Sequence, residues 1–240
     1  MGVLIDWISQ APTKGSTLII AMPGVGDVGK LAVDAVNLEL DAEPVARLIH
    51  PALPPLAKLD ENGLLTPPHV MLSRVQIENE DIFTLTGDAQ PMTPEGQHEM
   101  AVSILDLFEG GEVLVLAGMS SQAERKEVFC VTSSAEYRIE LESKGVDVRR
   151  DEPKAGVIGM AALVTALGPI KKVKTSCNIA TTMGNSADPV AAQLLLETIN
   201  LWWSLSLPIP IDATQRLAIK LKEMYPGKPE DLISEISDSP

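Results

Sequence analysis

The sequence is short of basic residues, and this shortage excludes one class of function. Its 240 residues contain 19 Lys and Arg against 33 Asp and Glu, which gives a formal net charge of −14. Residues 75–123 contain nine acidic side chains and no Lys or Arg. Because affinity for nucleic acid rests on basic side chains that neutralise phosphates, the composition argues against a nucleic-acid-binding protein.

Cysteine is also rare, and no hydrophobic run is long. Cys130 and Cys177 lie 47 residues apart without a Cys-x-x-Cys partner, so we expect neither a disulfide framework nor a zinc site. The longest uncharged segments are shorter than the ~18 apolar residues of a membrane helix. The first residues lack the basic stretch and apolar run of a signal peptide. We therefore expect a cytoplasmic protein without a membrane partner.

Strand and helix patterns alternate along the chain, which predicts a single α/β domain over residues 1–225. Short β-branched and apolar runs at 17–22 and 113–117 are typical of buried strands. The alternation predicts a mixed β-sheet flanked by helices on both faces. Residues 64–87 predict antiparallel strands, either within the main sheet or as a separate hairpin layer. Residues 226–240 predict an acidic, flexible tail.

Capping residues mark several helix boundaries. The N-caps are Thr93, Ser133 or Ser134, Asp188 and Asp212. Helices are predicted at 28–40, 93–108, 134–143, 158–167, 189–205 and 212–224. Further strands are predicted at 45–49, 128–132, 146–148 and 173–181.

The most distinctive motif follows the first buried strand and reads Gly24-Val25-Gly26-Asp27-Val28-Gly29-Lys30. As G-x-G-x-x-G it could approach a pyrophosphate at a helix N-terminus. As G-x-x-x-x-G-K it resembles a Walker loop, but Leu31 lacks the hydroxyl that would hold magnesium. Asp27 would repel a phosphate, and Asp34 is placed to pair with Lys30 along the helix. Two interpretations stay open: a tight turn packed through Gly24, Gly26 and Gly29, or a phosphate-binding loop.

No catalytic or metal-binding residue is predicted elsewhere. The nucleophile-elbow pattern around Ser120 fails at Gln122. The three histidines all precede Ser120, which excludes the Ser, acid, His order, and their spacing is not typical of a metal site. They are His50, His69 and His98. A carboxylate cluster fits a solvated turn better than an acid/base pair. Its members are Glu78, Glu80, Asp81 and Asp88.

Trp202 and Trp203 indicate a contact surface. They lie in an uncharged stretch, residues 198–211, of a predicted helix. Adjacent helical residues point about 100° apart, so one ring can fill the core while the other reaches a second surface. Aromatic residues are enriched at interfaces. We therefore predict that these tryptophans contribute to a homo-oligomer or partner contact.

Five patches in order over roughly residues 10–215 resemble the archaeal branch of the proteasome assembly chaperone 2 family. They are Met22-Pro23-Gly24-Val25-Gly26-Asp27-Val28-Gly29-Lys30, Pro51-Ala52-Leu53-Pro54-Pro55, Thr86-Gly87-Asp88-Ala89-Gln90-Pro91, Gly156-Val157-Ile158-Gly159 and Asp188-Pro189-Val190-Ala191-Ala192. The resemblance implies a nucleoside-phosphorylase-like fold without the phosphorylase's catalytic groups. It also implies oligomers that help 20S proteasome subunits to assemble.

The sequence departs from that family in two places. Some archaeal members dock on the proteasome α-ring through a C-terminal hydrophobic-Tyr-any tripeptide, whereas this sequence ends Ile236-Ser237-Asp238-Ser239-Pro240. Its one comparable tripeptide, Met224-Tyr225-Pro226, is internal. Ala161-Ala162 also stands where the family pattern has Gly-Leu. These departures predict a member without the docking tail and with an altered pocket.

The predicted function is a non-enzymatic assembly chaperone or binding scaffold for 20S proteasome subunits, acting as a homo-oligomer without a cofactor. The alternative is a nucleotide- or phosphate-binding enzyme, a ligase or a phosphorylase-like protein, that uses the loop from Gly24 to Lys30. A purely structural oligomer is a third possibility. A concave pocket with convergent polar groups beside the loop would favour the enzyme.

Overall fold

An eight-stranded mixed β-sheet forms the centre of the protein in this computed structural model, which describes residues 2–60, 62–78 and 80–209. The strands are β1 (Leu4–Trp7), β2 (Thr17–Ile20), β3 (Glu43–Ile49), β4 (Lys58–Leu59), β5 (Leu65–Thr66), β6 (Val70–Ile77), β7 (Glu80–Gly87), β8 (Glu112–Ser120), β9 (Val128–Thr132) and β10 (Lys174–Thr182). The helices are α1 (Val28–Glu39), α2 (Pro94–Leu107), α3 (Ala135–Ser143), α4 (Gly159–Leu167) and α5 (Pro189–Trp203). The predicted α/β fold class is confirmed.

The order of strands in the sheet is β1-β3-β6-β7-β2-β8-β10-β9, and β4 and β5 pair separately. Strands β7, β2, β8 and β10 run parallel, whereas the outer pairings are antiparallel. Parallel strands are covered on both faces, which explains the continuous apolar run of β8. The carboxyl ends of the four parallel strands meet at one edge of the sheet, where α/β proteins commonly bind ligands.

Two pairs of helices cover the sheet. On one face α2 and α4 pack together over the larger apolar core, which includes Met100, Phe108 and Val164. On the other face α1 and α5 pack together over a second core, in which Val33 and Leu195 are buried. Helix α3 lies beside β9 at the sheet edge. The buried apolar side chains of these helices therefore face the sheet, as an amphipathic pattern requires, whereas Leu38, Ile139 and Leu201 are exposed.

Local capping chemistry agrees with the predicted helix starts. The hydroxyl of Thr93 accepts a hydrogen bond from the Gly96 amide at the start of α2, and Ser134 does the same for Tyr137 at the start of α3. Helix α5 begins at its predicted cap, Asp188, and ends at Trp203 because Ser204 adopts a positive φ of 52°.

Two expectations about strands are resolved. The open question about residues 64–87 is answered by β6 and β7, which form an antiparallel hairpin inside the main sheet. The predicted strand at 146–148 is wrong. Its only pairing in the described chain is an isolated bridge between Val148 and Cys130.

Some predictions fall on residues that the structure does not describe. The helix predicted at 212–224, the tripeptide Met224-Tyr225-Pro226 and the tail at 226–240 lie outside the described residues. Within the described ranges, none of the helices combines the length and hydrophobicity that crossing a bilayer would require.

Candidate functional site

The segment from Gly24 to Lys30, which we call the glycine loop, leads from β2 into α1 through one turn of 3-10 helix, Val25–Asp27. Gly26 and Asp27 have positive φ angles of 63° and 47°, a conformation that glycine adopts freely and aspartate tolerates. The Asp27 carboxylate folds back onto the loop, where its Oδ1 accepts a hydrogen bond from the Gly24 amide at 3.3 Å. The acidic side chain therefore closes the turn.

Close packing explains why this segment is rich in glycine. A Cβ atom on Gly29 would lie 2.2 Å from the backbone oxygen of Leu116 in β8. A Cβ on Gly118, also in β8, would lie 2.2 Å from a backbone oxygen of the loop, and one on Gly26 would lie 2.9 Å from the hydroxyl of Thr182 in β10. Such distances are far below van der Waals contact. The loop and α1 therefore approach β8 and β10 as only glycine allows, which favours the packing interpretation.

Lys30 is engaged within its own helix. Its Nζ donates hydrogen bonds to both carboxylate oxygens of Asp34, at 3.1 and 2.8 Å. The side chain does not line the cavity beside the glycine loop but a separate cavity on the other side of α1's first turn. The structure therefore separates Lys30 from the glycines with which it forms a Walker-like pattern.

Lys30→Ala should lower the free energy of unfolding by no more than about 0.5 kcal/mol, because helical i,i+4 ion pairs contribute little. Chemical denaturation measures this change. In parallel, calorimetric titration of both proteins with ATP, NAD and inorganic phosphate should give no binding heat. Phosphate binding by the wild-type protein that is lost in the variant would contradict this prediction and support the nucleotide alternative.

A cavity of about 680 Å³ opens beside the glycine loop. It lies between that loop, the carboxyl ends of β2 and β8, and the segment 153–161, and we call it the loop cavity. Its volume falls in the range of small-molecule sites. The polar side chains that line it are Gln90, Gln97 and Ser120, and no described lining residue is charged.

Gln90 fastens the two sides of the loop cavity together. Its Nε2 donates to the backbone oxygen of Pro23 at 2.9 Å, and its Oε1 accepts from the amide of Met160 at 3.1 Å. A Cβ on Gly159 would lie 2.8 Å from that Oε1. The amide of Gln90 thus links the glycine loop to the first turn of α4. Each end of this amide makes one hydrogen bond within the protein, which fixes the orientation of the side chain.

An ion-pair network holds the start of the segment 153–161. Arg125 donates to both carboxylate oxygens of Glu152, at 2.5 and 2.6 Å, and also pairs with Glu127. Arg149 binds Glu127 at 3.1 Å and Glu152 at 3.3 Å, and it pairs with Asp147. The hydrogen bond from Arg125 keeps the pKa of Glu152 below its usual value. This network positions Pro153, which borders the loop cavity.

The chemistry available in the loop cavity is limited. General acid–base catalysis needs a titratable group within hydrogen-bond reach of the substrate, and the described lining offers none. The two buried cysteines are poor nucleophiles, since burial raises the pKa of Cys130 and raises that of Cys177 to about 12. Among the described residues, no cluster of His, Cys, Asp and Glu could hold a metal ion.

The other polar candidates are dispersed. The hydroxyl of Ser120 donates to the backbone oxygen of Met183 at 3.4 Å. In the carboxylate cluster, Glu80 and Asp81 lie at the start of β7, whereas Asp88 follows its last residue, so this strand separates them. Asp88 pairs with Lys58 at 2.5 Å. The structure therefore does not bring these carboxylates together as an acid/base pair.

Trp202 and Trp203 are half-buried and pack edge to face, with ring centroids 6.1 Å apart. The Nε1 of Trp203 donates to Glu112 Oε1 at 3.0 Å, and the hydroxyl of Tyr137 donates to the same oxygen. Burial, followed by the charge of Glu112, raises the pKa of Tyr137. Trp203 thus has a structural role within the chain, and a contact between subunits at these rings stays a prediction.

The five sequence patches meet at the edge where the parallel strands end. The bond from Gln90 to Pro23 joins the first and third patches, and its bond to Met160 reaches the residue that directly follows the fourth patch. The amide of Asp188, which opens the fifth patch, donates to the oxygen of Gly26 at 2.9 Å. In the second patch, Ala52 accepts a bond from the amide of Met92 at 2.7 Å. The first, third and fourth patches therefore line the loop cavity, and the fifth is bonded to the first.

The fold and this region define a class of α/β protein in which a glycine-rich turn is packed against the sheet beside an uncharged cavity. The model of the PAC2 family matches residues 18–224, and the chain belongs to that family. An uncharacterized protein of Methanocaldococcus jannaschii, MJ1210, is 26% identical over 191 residues, which cover 78% of this chain and 73% of that protein.

Solved structures are similar over nearly the whole chain. PbaB of Pyrococcus furiosus, described as an archaeal proteasome activator, has a TM-score of 0.76 at 19% identity and covers 99% of both chains. PbaA of the same organism, described as an archaeal homologue of proteasome-assembly chaperone, has a TM-score of 0.76 at 24% identity, covering 99% of this chain and 95% of that chain. These similarities show a shared fold.

Sequence reasoning did not single out Gln90 or the network of Arg125 and Arg149. Gln90 lies inside one of the five patches, but its role depends on Pro23 and Met160, which are 67 and 70 residues away in the sequence. The available signal was a polar side chain between Ala89 and Pro91 in a short connection that leads to a capped helix. Such a position indicates a constrained loop but not its partners.

Proposed function

We propose that this protein is a non-enzymatic chaperone or binding scaffold that assists the assembly of 20S proteasome subunits, and that it acts as a homo-oligomer in the cytoplasm. Membership of the PAC2 family supports the chaperone role. The similarity to PbaA, described as a homologue of proteasome-assembly chaperone, points to the same kind of partner.

The choice between a scaffold and an enzyme rests on the lining of the loop cavity. The loop cavity is concave, but its described lining has no charged group, and the amide of Gln90 is used to hold the walls together. A phosphate site would need hydrogen-bond donors, from backbone amides or basic side chains, that converge on the anion. The loop carries Asp27 instead, and Lys30 is directed to Asp34. These features favour a scaffold over the nucleotide alternative.

Affinity purification from the native cell tests the proposed partner. The tagged protein, crosslinked before lysis, should recover 20S α or β subunits above the level obtained with an unrelated tagged protein of similar acidity. The acidic control is needed because a net charge of −14 can attract basic proteins without specificity. Failure to recover either type of subunit after crosslinking would overturn the proteasome assignment.

Trp202→Ala and Trp203→Ala, tested singly, should lower the mass of the oligomer in light scattering if these rings contribute to the subunit contact. Trp203→Phe is the matched control, because it keeps an aromatic ring and removes only the hydrogen bond to Glu112. Circular dichroism verifies that each variant is folded. An unchanged mass for both alanine variants would reject this interface.

A further inference from the structure

A second cavity, of about 400 Å³, gathers basic side chains in an otherwise acidic protein. It lies between the first turn of α1, the ends of the β6–β7 hairpin and the segment 53–58. Lys30, Lys58 and His69 line it together with Asp88, and its remaining lining is largely apolar, including Pro54 and Leu56. We call it the lysine pocket. It is distinct from the loop cavity, with which it shares no lining residue.

The basic groups of the lysine pocket converge on one carboxylate. Lys58 Nζ donates to Asp88 Oδ2 at 2.5 Å. The pKa of Asp88 lies below its usual value, first because of this hydrogen bond and then through the charges of Lys58, Lys30 and His69. All three basic side chains are therefore close enough to Asp88 to act on it. His69 Nδ1 donates a hydrogen bond to the backbone oxygen of Pro67 at 2.7 Å, so the Nε2 atom takes no part in that bond.

We propose that the lysine pocket binds an acidic peptide segment of a partner protein, in which one Asp or Glu carboxylate replaces Asp88 beside Lys58 and Lys30 and a neighbouring apolar side chain packs against Pro54 and Leu56. This inference goes beyond the proposed function, because it specifies the chemistry of a site and holds whether or not the partner is a proteasome subunit.

Replacement of Asp88 is physically reasonable because its ion pair is exposed. The side chains of Lys58 and Asp88 are 56% and 65% exposed, and ion pairs at such exposure stabilise a protein little. Asp88 can therefore turn towards solvent when another carboxylate arrives. Leu56, a large apolar side chain, is 63% exposed at the same pocket. A peptide that carries both groups would cover this apolar surface and form a charge-assisted hydrogen bond.

A buried hydroxyl in the pocket also lacks a partner. Thr86 lines the lysine pocket and is only 8% exposed, yet its Oγ1 has no hydrogen-bond partner within the described structure. Buried polar groups are normally hydrogen-bonded. Because this oxygen is itself almost fully shielded from solvent, a carboxylate in the pocket would reach it only after a shift of the groups that cover it.

The charge balance favours a carboxylate over a phosphate. Lys30 is already paired with Asp34 at 2.8 Å, so release of Asp88 leaves the equivalent of one uncompensated positive charge at Lys58. A singly charged carboxylate matches that charge, whereas a doubly charged phosphate would exceed it and be repelled by Asp34. This is the reason for preferring an acidic peptide to a phosphorylated ligand.

Fluorescence anisotropy with two labelled, amidated hexapeptide pools tests the proposal. The pools share randomised apolar positions and differ in one fixed residue, Asp or Asn. The Asp pool should bind the full-length protein about threefold more tightly than the Asn pool, as expected for one partly exposed ion pair. Its affinity should fall as salt rises, because the groups that bind it are partly exposed.

Matched variants locate the binding. Lys58→Ala should remove most of the preference for the Asp pool, and Lys30→Ala a smaller part of it because Lys30 is already paired with Asp34. D88N should strengthen the binding, because the competing carboxylate is gone. Lys14→Ala is the control, since Lys14 forms an exposed pair with Glu109 outside the pocket, and it should leave the affinity unchanged. Unfolding curves verify that all variants are folded.

Three outcomes would overturn the proposal. The first is equal binding of the Asp and Asn pools by the wild-type protein and by D88N. The second is a preference for the Asp pool that survives both Lys58→Ala and Lys30→Ala. The third is displacement of the Asp pool by inorganic phosphate more effectively than by acetate, which would assign the pocket to a phosphate ligand. Each result is independent of whether proteasome subunits are recovered in the affinity purification.

Discussion

Gly29→Ala should destabilise the protein by about 2–3 kcal/mol, because the added Cβ would lie 2.2 Å from the backbone oxygen of Leu116 and overpacking of this kind is costly. Helix α1 and strand β8 would have to move apart, because the atom that blocks the Cβ belongs to the backbone of β8. Alanine normally stabilises a helix by about 1 kcal/mol relative to glycine. The expected loss is the net value after this gain. Chemical denaturation of the two proteins measures the difference.

Gly24→Ala is the matched control from the same loop. Gly24 has an extended backbone with a φ of −165°, and the nearest atom to a Cβ there is the oxygen of Met22 at 3.8 Å. Its substitution should change stability by less than about 0.5 kcal/mol. A phosphate-cradling loop would use Gly24 as much as Gly29. Equal losses at the two positions, or a tolerated Gly29→Ala, would contradict the packing interpretation.

Asp188→Ala should cost about 2–3 kcal/mol, because one carboxylate serves two connections. Its Oδ1 accepts from the amide of Ala191 at 3.0 Å, which caps α5, and its Oδ2 accepts from the hydroxyl of Thr182 at 2.7 Å, at the end of β10. Alanine would remove the cap and leave a largely buried hydroxyl with one bond fewer. The midpoint of chemical denaturation measures this loss.

Asp188→Asn separates the hydrogen bonds of Asp188 from its charge. Asparagine is an equally good N-cap, its oxygen can accept from Ala191, and its amide can donate to the hydroxyl of Thr182. We therefore expect Asp188→Asn to retain most of the wild-type stability. If the asparagine variant were as unstable as the alanine variant, the negative charge rather than the hydrogen bonds would be responsible.

Local signals in the sequence predict the elements whose boundaries depend on neighbouring residues. Thr93, Ser134 and Asp188 cap the helices that follow them, because a capping side chain bonds an amide only a few residues away. The apolar run at 113–117 lies within β8 for a similar reason, since a strand covered on both faces has no polar alternation.

Elements that depend on distant partners were missed or misassigned. The residues of β1, Leu4–Trp7, are mostly exposed, and this edge strand exists through its pairing with residues 46–49 of β3. The segment 146–148 alternates Val, Asp and Val as a strand can, but it forms only one bridge. Composition alone cannot distinguish these two cases, because pairing depends on which strand edge is available.

The same distinction applies to the candidate site. The glycine loop and the pairing of Lys30 with Asp34 could be predicted because they depend on spacing along one segment. The link through Gln90 and the convergence of Lys58 with Asp88 could not, because each joins segments 30 or more residues apart. A site assembled at the ends of parallel strands requires the order of strands in the sheet before its side chains can be placed together.

The central position of β2 has a consequence for how the protein is made. This strand leaves the ribosome well before its two partners, since Thr17 is paired with Ile82 in β7 and Glu112 in β8. Until β7 and β8 have been synthesised, the apolar residues Leu18, Ile19 and Ile20 lack the neighbouring strands that they join. Such non-local pairing slows folding and prolongs the exposure of aggregation-prone hydrophobic segments in the nascent chain. A protein proposed to assist the assembly of others therefore has its own vulnerable interval during translation.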